Sequence, residues 1–157
     1  MIKVGDSIPA AGITVINNDG QENISAAAFF ANKKAVLFAL PGAFTPTCSE
    51  AHLPGYIVSF DDIAAKGVDT VACLSVNDSF VMKAWRDSQN AENITMIADG
   101  GANLTKELGL VLDTSDFGGI RSQRYSMIID NGVVTHLNVE EGGGFEVSGA
   151  DTVLEQL

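Results

Sequence analysis

Ala35-Val36-Leu37-Phe38-Ala39-Leu40-Pro41-Gly42-Ala43-Phe44-Thr45-Pro46-Thr47-Cys48 runs from an unbroken apolar segment into a loop fenced by two prolines and ends on a thiol. An apolar run without alternation reads as a strand buried on both faces. After the cysteine, Leu53, Tyr56, Ile57, Phe60, Ile63 and Ala64 recur at helical spacing, which predicts a helix over roughly Ser49–Lys66. Cys48 therefore sits where a strand has ended and a helix begins. Unpaired backbone N–H groups and the positive end of a helix dipole favour thiolate over thiol there, and the thiolate is the nucleophile.

Working outward, Pro54 falls inside the helical pattern, where its missing N–H predicts a bend or interruption of the first turns, and Gly67 ends the helix. Thr70–Val76 and Ile94–Ala98 read as two further buried strands. Between them, Asn77-Asp78-Ser79 offers capping side chains, and Phe80, Val81, Ala84, Trp85 and Ser88 share a helical face. Two successive β-α-β units result, with right-handed crossovers. A third, shorter helix is expected at Leu104–Leu108, closing at Gly109. The pattern then changes. Arg124–Asp130 and Val133–Val139 flank Asn131-Gly132, a strong hairpin signal because both residues tolerate positive φ. Gly142-Gly143-Gly144 leads to a last helix at about Gly149–Leu157, and Ile8 with Ile13–Ile16 marks an N-terminal edge strand or hairpin. The expected fold is α/β: a mixed central sheet with helices on both faces, in an order compatible with a thioredoxin-like fold and a single domain over 1–157.

Composition narrows the function. The 157 residues suffice for one well-buried core, and 46% apolar against 18% charged residues is the balance of a compact protein. A net charge of −11 repels phosphate backbones and anionic lipid, so neither nucleic acid nor membrane is an expected partner. Met1-Ile2-Lys3 opens without a signal-peptide core, and no run approaches the roughly 20 apolar residues of a membrane span. A cytoplasmic protein is expected. Cys48 and Cys73 form no Cys-x-x-Cys, and His52 and His136 lack metal-ligand spacing, so neither a metal nor another cofactor is expected.

Thr45 lies three positions before Cys48, close enough for a turn to bring hydroxyl and sulfur to one side, where the hydroxyl can orient a bound oxygen. Pro41 and Pro46 stiffen the loop, which lowers the entropy cost of holding a substrate in line for attack. These residues alone leave a second reading open, a small buried cysteine at a helix start.

The motif Pro41-x-x-x-Thr45-x-x-Cys48 resembles the signature of the peroxiredoxins, thiol peroxidases on a thioredoxin-like fold. Pro41–Tyr56 as a whole resembles the branch that holds mammalian peroxiredoxin five and the plant type II enzymes. The likeness continues through Ala72–Asp78, Phe80–Trp85, Arg121–Met127 and Asn138-Val139-Glu140. It implies that Cys48 is the peroxidatic cysteine, attacking the peroxide O–O bond and becoming a sulfenic acid. It implies that Thr45 and Gly42 bind the substrate oxygens, that Pro41 covers the pocket, and that Arg124 stabilises the thiolate and the leaving oxygen. A guanidinium suits that role because it stays charged at any working pH. Arg121, three positions away, falls on the other face of a continuous strand and is the weaker candidate. His52, one helical turn past Cys48, is expected in a structural or interface role; Glu50 should point away from the sulfur; Trp85 and the phenylalanines belong to core or interface.

The mammalian branch carries a resolving cysteine near the loop that here reads Phe145-Glu146-Val147-Ser148, and this chain has no cysteine after Cys73. Cys73 matches the second cysteine of the plant enzymes but lies inside a buried strand, and a disulfide needs Cα atoms within about 7 Å. The expectation is a peroxidase with no internal resolving cysteine. Its reductant would be an external thiol, glutathione with or without glutaredoxin, then thioredoxin. The resemblance also implies a homodimer packed through loops near the active site, where Phe44, Phe80 and Phe117 are the candidate contacts. A peroxide sensor or relay that passes oxidation to a partner protein is the rival reading, since it would use the same thiol.

Overall fold

The computed structural model describes residues 1–157. Three parallel strands, β3 (Lys34–Ala39), β4 (Thr70–Ser75) and β5 (Thr95–Ala98), form the centre of a seven-stranded sheet. Helix α2 (Leu53–Ala65) crosses from β3 to β4, and α3 (Ser79–Ser88) crosses from β4 to β5. The N-terminal hairpin, β1 (Gly12–Asn17) and β2 (Gly20–Ser25), adds antiparallel beside β5. On the opposite side β8 (Tyr125–Asp130) runs antiparallel to β3, with β9 (Val133–Val139) at the edge. The spatial order is β2-β1-β5-β4-β3-β8-β9.

Each face of the sheet carries its own core. One gathers Leu37, Ala39, Leu74, Ile97, Tyr125 and Met127 under α1 (Ala26–Phe30) and α4 (Asn103–Leu108). The other gathers Val36, Phe38, Cys73, Met96 and Ile128 under α2, α3 and α5 (Ala150–Gln156). Burial on both sides explains the unalternating strands. Asn131 and Gly132 take φ of 49° and 77°, the left-handed pair that a two-residue hairpin needs. A bulge between Ile128 and Ile129 interrupts the β8–β9 register.

Three features depart from the sequence expectation. The helix after Cys48 does not start as a regular α-helix: Cys48–His52 forms a π-turn, with the Leu53 N–H bonded to the Cys48 carbonyl, and α2 follows at once. Pro54 is the second residue of α2, directly after that turn, so the expected interruption takes the form of a turn with an extra residue just before the missing donor. Helix α1, capped by Ser25 Oγ on the Ala28 N–H, has no counterpart among the expected elements. Nor has the small ribbon β6 (Val111–Asp113) with β7 (Ile120–Ser122), which forms a separate two-stranded sheet.

Candidate active site

The loop after β3 is held from several sides. Asn77 Oδ1, just past β4, accepts from the Ala43 N–H (3.0 Å) and from Ser75 Oγ (2.6 Å). Thr45 Oγ1 donates to the Gly42 carbonyl (2.6 Å), and Phe44 closes the turn at φ 65°. Helical backbone begins at Pro46, so Cys48 lies within the first turn. Ser49 Oγ accepts from Trp85 Nε1 (3.0 Å), and the Ser49 carbonyl accepts from Gln89 Nε2 (3.3 Å), which ties the π-turn to the end of α3.

Cys48 is 1% exposed, and Arg124 Nη2 donates to its Sγ at 3.2 Å. Arg124 immediately precedes β8, and its carbonyl accepts from the Glu140 N–H, so the first rungs of the hairpin fix its place. Its guanidinium is buried and has no carboxylate partner; the single ion pair of the molecule joins Lys83 to Asp87. The other amino group, Nη1, faces His52 Nδ1 at 2.9 Å. His52 Nε2 lies 3.1 Å from the Ser148 carbonyl, which also accepts from Tyr56 Oη at 2.8 Å. Since Arg124 only donates and a carbonyl only accepts, the ring carries its proton on Nε2 and offers Nδ1 as acceptor. Burial first, and then the Arg124 charge, lower the His52 pKa to about 3, so the imidazole is neutral near pH 7. Phe38 stacks on Tyr56 (3.9 Å, 5°), and Phe145 lies 4.9 Å from the His52 ring and 5.8 Å from the Arg124 guanidinium carbon.

Pro41, Thr45, Pro46, Phe117, Arg121 and Arg124 line an open pocket of about 280 Å³. The structure thus brings Pro41, Thr45 and Arg124 to one pocket, with Cys48 hydrogen-bonded to the arginine. Gly42 is packed against Arg121: a Cβ there would meet Nη1 at 2.8 Å. A larger cleft of about 660 Å³, lined by Asp78, Asp99 and Asn103 among others, contains neither cysteine nor arginine.

One residue differs from the sequence reading. Strand alternation places Arg121 on the far face of a continuous strand, but the chain leaves the β6–β7 ribbon at Gln123 before entering β8. Arg121 therefore turns to the same pocket, donating to the Pro41 carbonyl (3.2 Å) and the Gly118 carbonyl (3.1 Å). His52, expected in a structural or interface role, is fully buried against Arg124. Glu50 is exposed. Cys73 is fully buried on the Cys48 side of the sheet, and burial first, then the nearby Cys48, push its thiol pKa up. Cys48 and Cys73 are not joined.

Residues 3–154 match the Redoxin family. The chain is 47% identical over 163 residues to Peroxiredoxin-2E-2, chloroplastic, of Oryza sativa subsp. japonica, covering 99% of this chain and 72% of that protein. It is 46% identical over 159 residues to Peroxiredoxin-2D of Arabidopsis thaliana, covering 99% of this chain and 98% of that protein. Its fold superposes on the crystal structure of reduced Prx3 in complex with H2O2 from Vibrio vulnificus with a TM-score of 0.96. That pair shares 60% identity over 99% of each chain.

Proposed function

The chain belongs to the Redoxin family as a peroxiredoxin, a thiol-dependent peroxidase, and from that premise we propose that Cys48 reduces peroxide and is itself reduced by a thiol from outside the chain. The observation that carries this reading is the buried guanidinium of Arg124, without a carboxylate and 3.2 Å from Cys48 Sγ. A cation held there can stabilise negative charge on the sulfur and on the peroxide oxygens as the reaction proceeds.

Sγ attacks one peroxide oxygen; the S–O bond forms as the O–O bond breaks, and the departing oxygen takes up a proton and leaves as water or alcohol. The sulfur is oxidised by two electrons to sulfenic acid. Thr45 Oγ1 already spends its proton on the Gly42 carbonyl, so it meets the peroxide O–H as an acceptor. Arg124 donates to the oxygen on which charge grows, and Pro41 walls the pocket. The Prx3 relative's complex with H2O2 supports hydrogen peroxide as a substrate, and alkyl hydroperoxides carry the same reactive bond.

A thiol then attacks the sulfenic sulfur, releasing water and leaving a mixed disulfide, and a second thiol displaces Cys48. Glutathione with glutaredoxin is the first reductant proposed and thioredoxin the second. Val147 where the mammalian branch has a cysteine, and Cys73 sealed in the core with its thiol pKa raised, support an external route. Two unpaired cysteines fit a reducing compartment such as the cytoplasm. Exposed Phe44, Phe80 and Phe117 fit a homodimer interface, which gel filtration across concentrations tests.

Side-by-side assays of peroxide consumption with glutathione, glutaredoxin and thioredoxin systems test the cycle. Sustained turnover that Cys48→Ser abolishes is expected. A single stoichiometric burst in every system would favour a relay instead, and full activity in Cys48→Ser would end the enzymatic reading.

A further inference from the structure

Glu140 is a charged side chain that the chemistry above does not use, yet it is buried and fully engaged. It follows β9 directly. Its Oε2 accepts from three consecutive backbone N–H groups, Glu146 (2.9 Å), Val147 (2.9 Å) and Ser148 (2.8 Å), and from Ser148 Oγ (2.6 Å); its Oε1 accepts from Glu146 as well (2.9 Å). Burial raises its carboxyl pKa, but the bond from Ser148 Oγ and those from the three N–H groups outweigh burial and hold the pKa below its ordinary value. Glu140 and Arg124 form no ion pair with each other. They are joined by backbone, Glu140 N–H to Arg124 carbonyl at 3.0 Å.

The turn that Glu140 fastens ends in the Ser148 carbonyl, and that carbonyl holds His52 Nε2–H and Tyr56 Oη. The bonds therefore close a ring: Glu140 to the 146–148 turn, Ser148 to His52, His52 to Arg124, and Arg124 back to Glu140. Cys48 hangs from this ring through Arg124 Nη2. We propose that Glu140 is a positioning residue for the reaction at Cys48. Its carboxylate locks the 146–148 turn, the Ser148 carbonyl fixes His52 with Nδ1 as acceptor, and His52 aims the Arg124 fork at Sγ. The loop in which the mammalian branch keeps a second cysteine serves here as a fixed brace. This inference rests on Cys48 and Arg124 being the reactive pair.

The test follows alkylation of reduced Cys48 by iodoacetamide against pH, read by mass spectrometry, together with kcat/KM for H2O2. Loss of a charge-assisted bond in the ring predicts that Glu140→Ala slows alkylation at pH 7 about five- to tenfold and moves its profile to higher pH. Ser148→Ala keeps the carbonyl and should have the smaller effect. In an Arg124→Gln background the Glu140→Ala effect should vanish, because Arg124 is the route by which it reaches the sulfur. If Glu140→Ala does not fold by circular dichroism, Glu140→Gln carries the same comparison, since an amide nitrogen cannot accept from the turn. A profile unchanged from the parent, or an equal effect without Arg124, would overturn the proposal. Alkylation needs no peroxide, so a shifted profile in a protein without peroxidase activity would sustain Glu140 and dismiss the proposed reaction.

Discussion

Arg124 spends one amino group on His52 and the other on Cys48, a division that requires a planar fork. Lysine keeps the charge but offers one point. Arg124→Lys should therefore lower kcat/KM for H2O2 by about 10- to 100-fold, the loss of a charge-assisted bond worth about 1.5–3 kcal/mol. Parent-like kcat/KM would contradict the bidentate role. The neutral His52 ring links the same site to stability. Its pKa is about 3 when folded against an ordinary 6.5, so between those values the unfolded chain binds the extra proton. The stability it contributes is fully present above pH 6.5 and is lost as the pH falls toward 3, by up to about 1.4 kcal/mol per pH unit. The lowered Glu140 carboxyl acts in the same sense. Urea unfolding from pH 7 to 4.5 should decline less steeply in His52→Gln, which keeps an acceptor and a donor but does not titrate; parallel declines would contradict it. Pro41, Thr45 and Cys48 are readable in sequence because a single loop holds all three, and Arg124 is readable through the resemblance. His52 acts on partners 72 and 96 residues away, and local spacing carries no record of them.

The elements that periodicity could find are the long ones. Buried runs give β3, β4 and β5, and Asn131-Gly132 gives the hairpin. The π-turn at Cys48–His52 is legible only as a conflict between helical spacing and Pro54, because spacing cannot say how the backbone absorbs a missing donor. Likewise the three-residue strands β6 and β7 are too short for any period to register, and without the break after them alternation turns Arg121 away from Arg124. Helix α4 shows the same limit. Its N-terminal N–H groups are met not by its own cap, Ala102, but by Asp99 at the end of β5, which takes Leu104 N–H (3.1 Å), Thr105 N–H (2.8 Å) and Thr105 Oγ1 (2.7 Å). Asp99 is 2% exposed, so Asp99→Ala leaves those donors buried and unmet. It should cost roughly 2–3 kcal/mol in urea unfolding while the peroxidase rate at 25 °C stays within about twofold. A loss below about 0.5 kcal/mol would show that the capping carboxylate is dispensable.

For the whole molecule, the sheet determines which groups meet. Cys73 in β4 and Cys48 in the π-turn belong to the same core, yet Cys73 is register partner to Phe38 within a continuous parallel ladder. Freeing its sulfur for Cys48 would mean opening the sheet at its centre, whereas Thr47 and Arg124, the residue before Cys48 and the donor to its Sγ, both line an open pocket. The chain is acidic overall, but the lining of that pocket carries Arg121 and Arg124 and no carboxylate, so an anionic thiol meets favourable charge there. In the proposed cycle Cys48 is oxidised and reduced without a partner in its own chain. Steady-state H2O2 consumption by Cys73→Ala with glutathione and glutaredoxin, combined with mass spectrometry of the trapped intermediate, tests it most directly. Turnover should stay within about twofold of the parent, with glutathione attached to Cys48; a loss beyond about tenfold, with a Cys48–Cys73 disulfide in the parent, would contradict it.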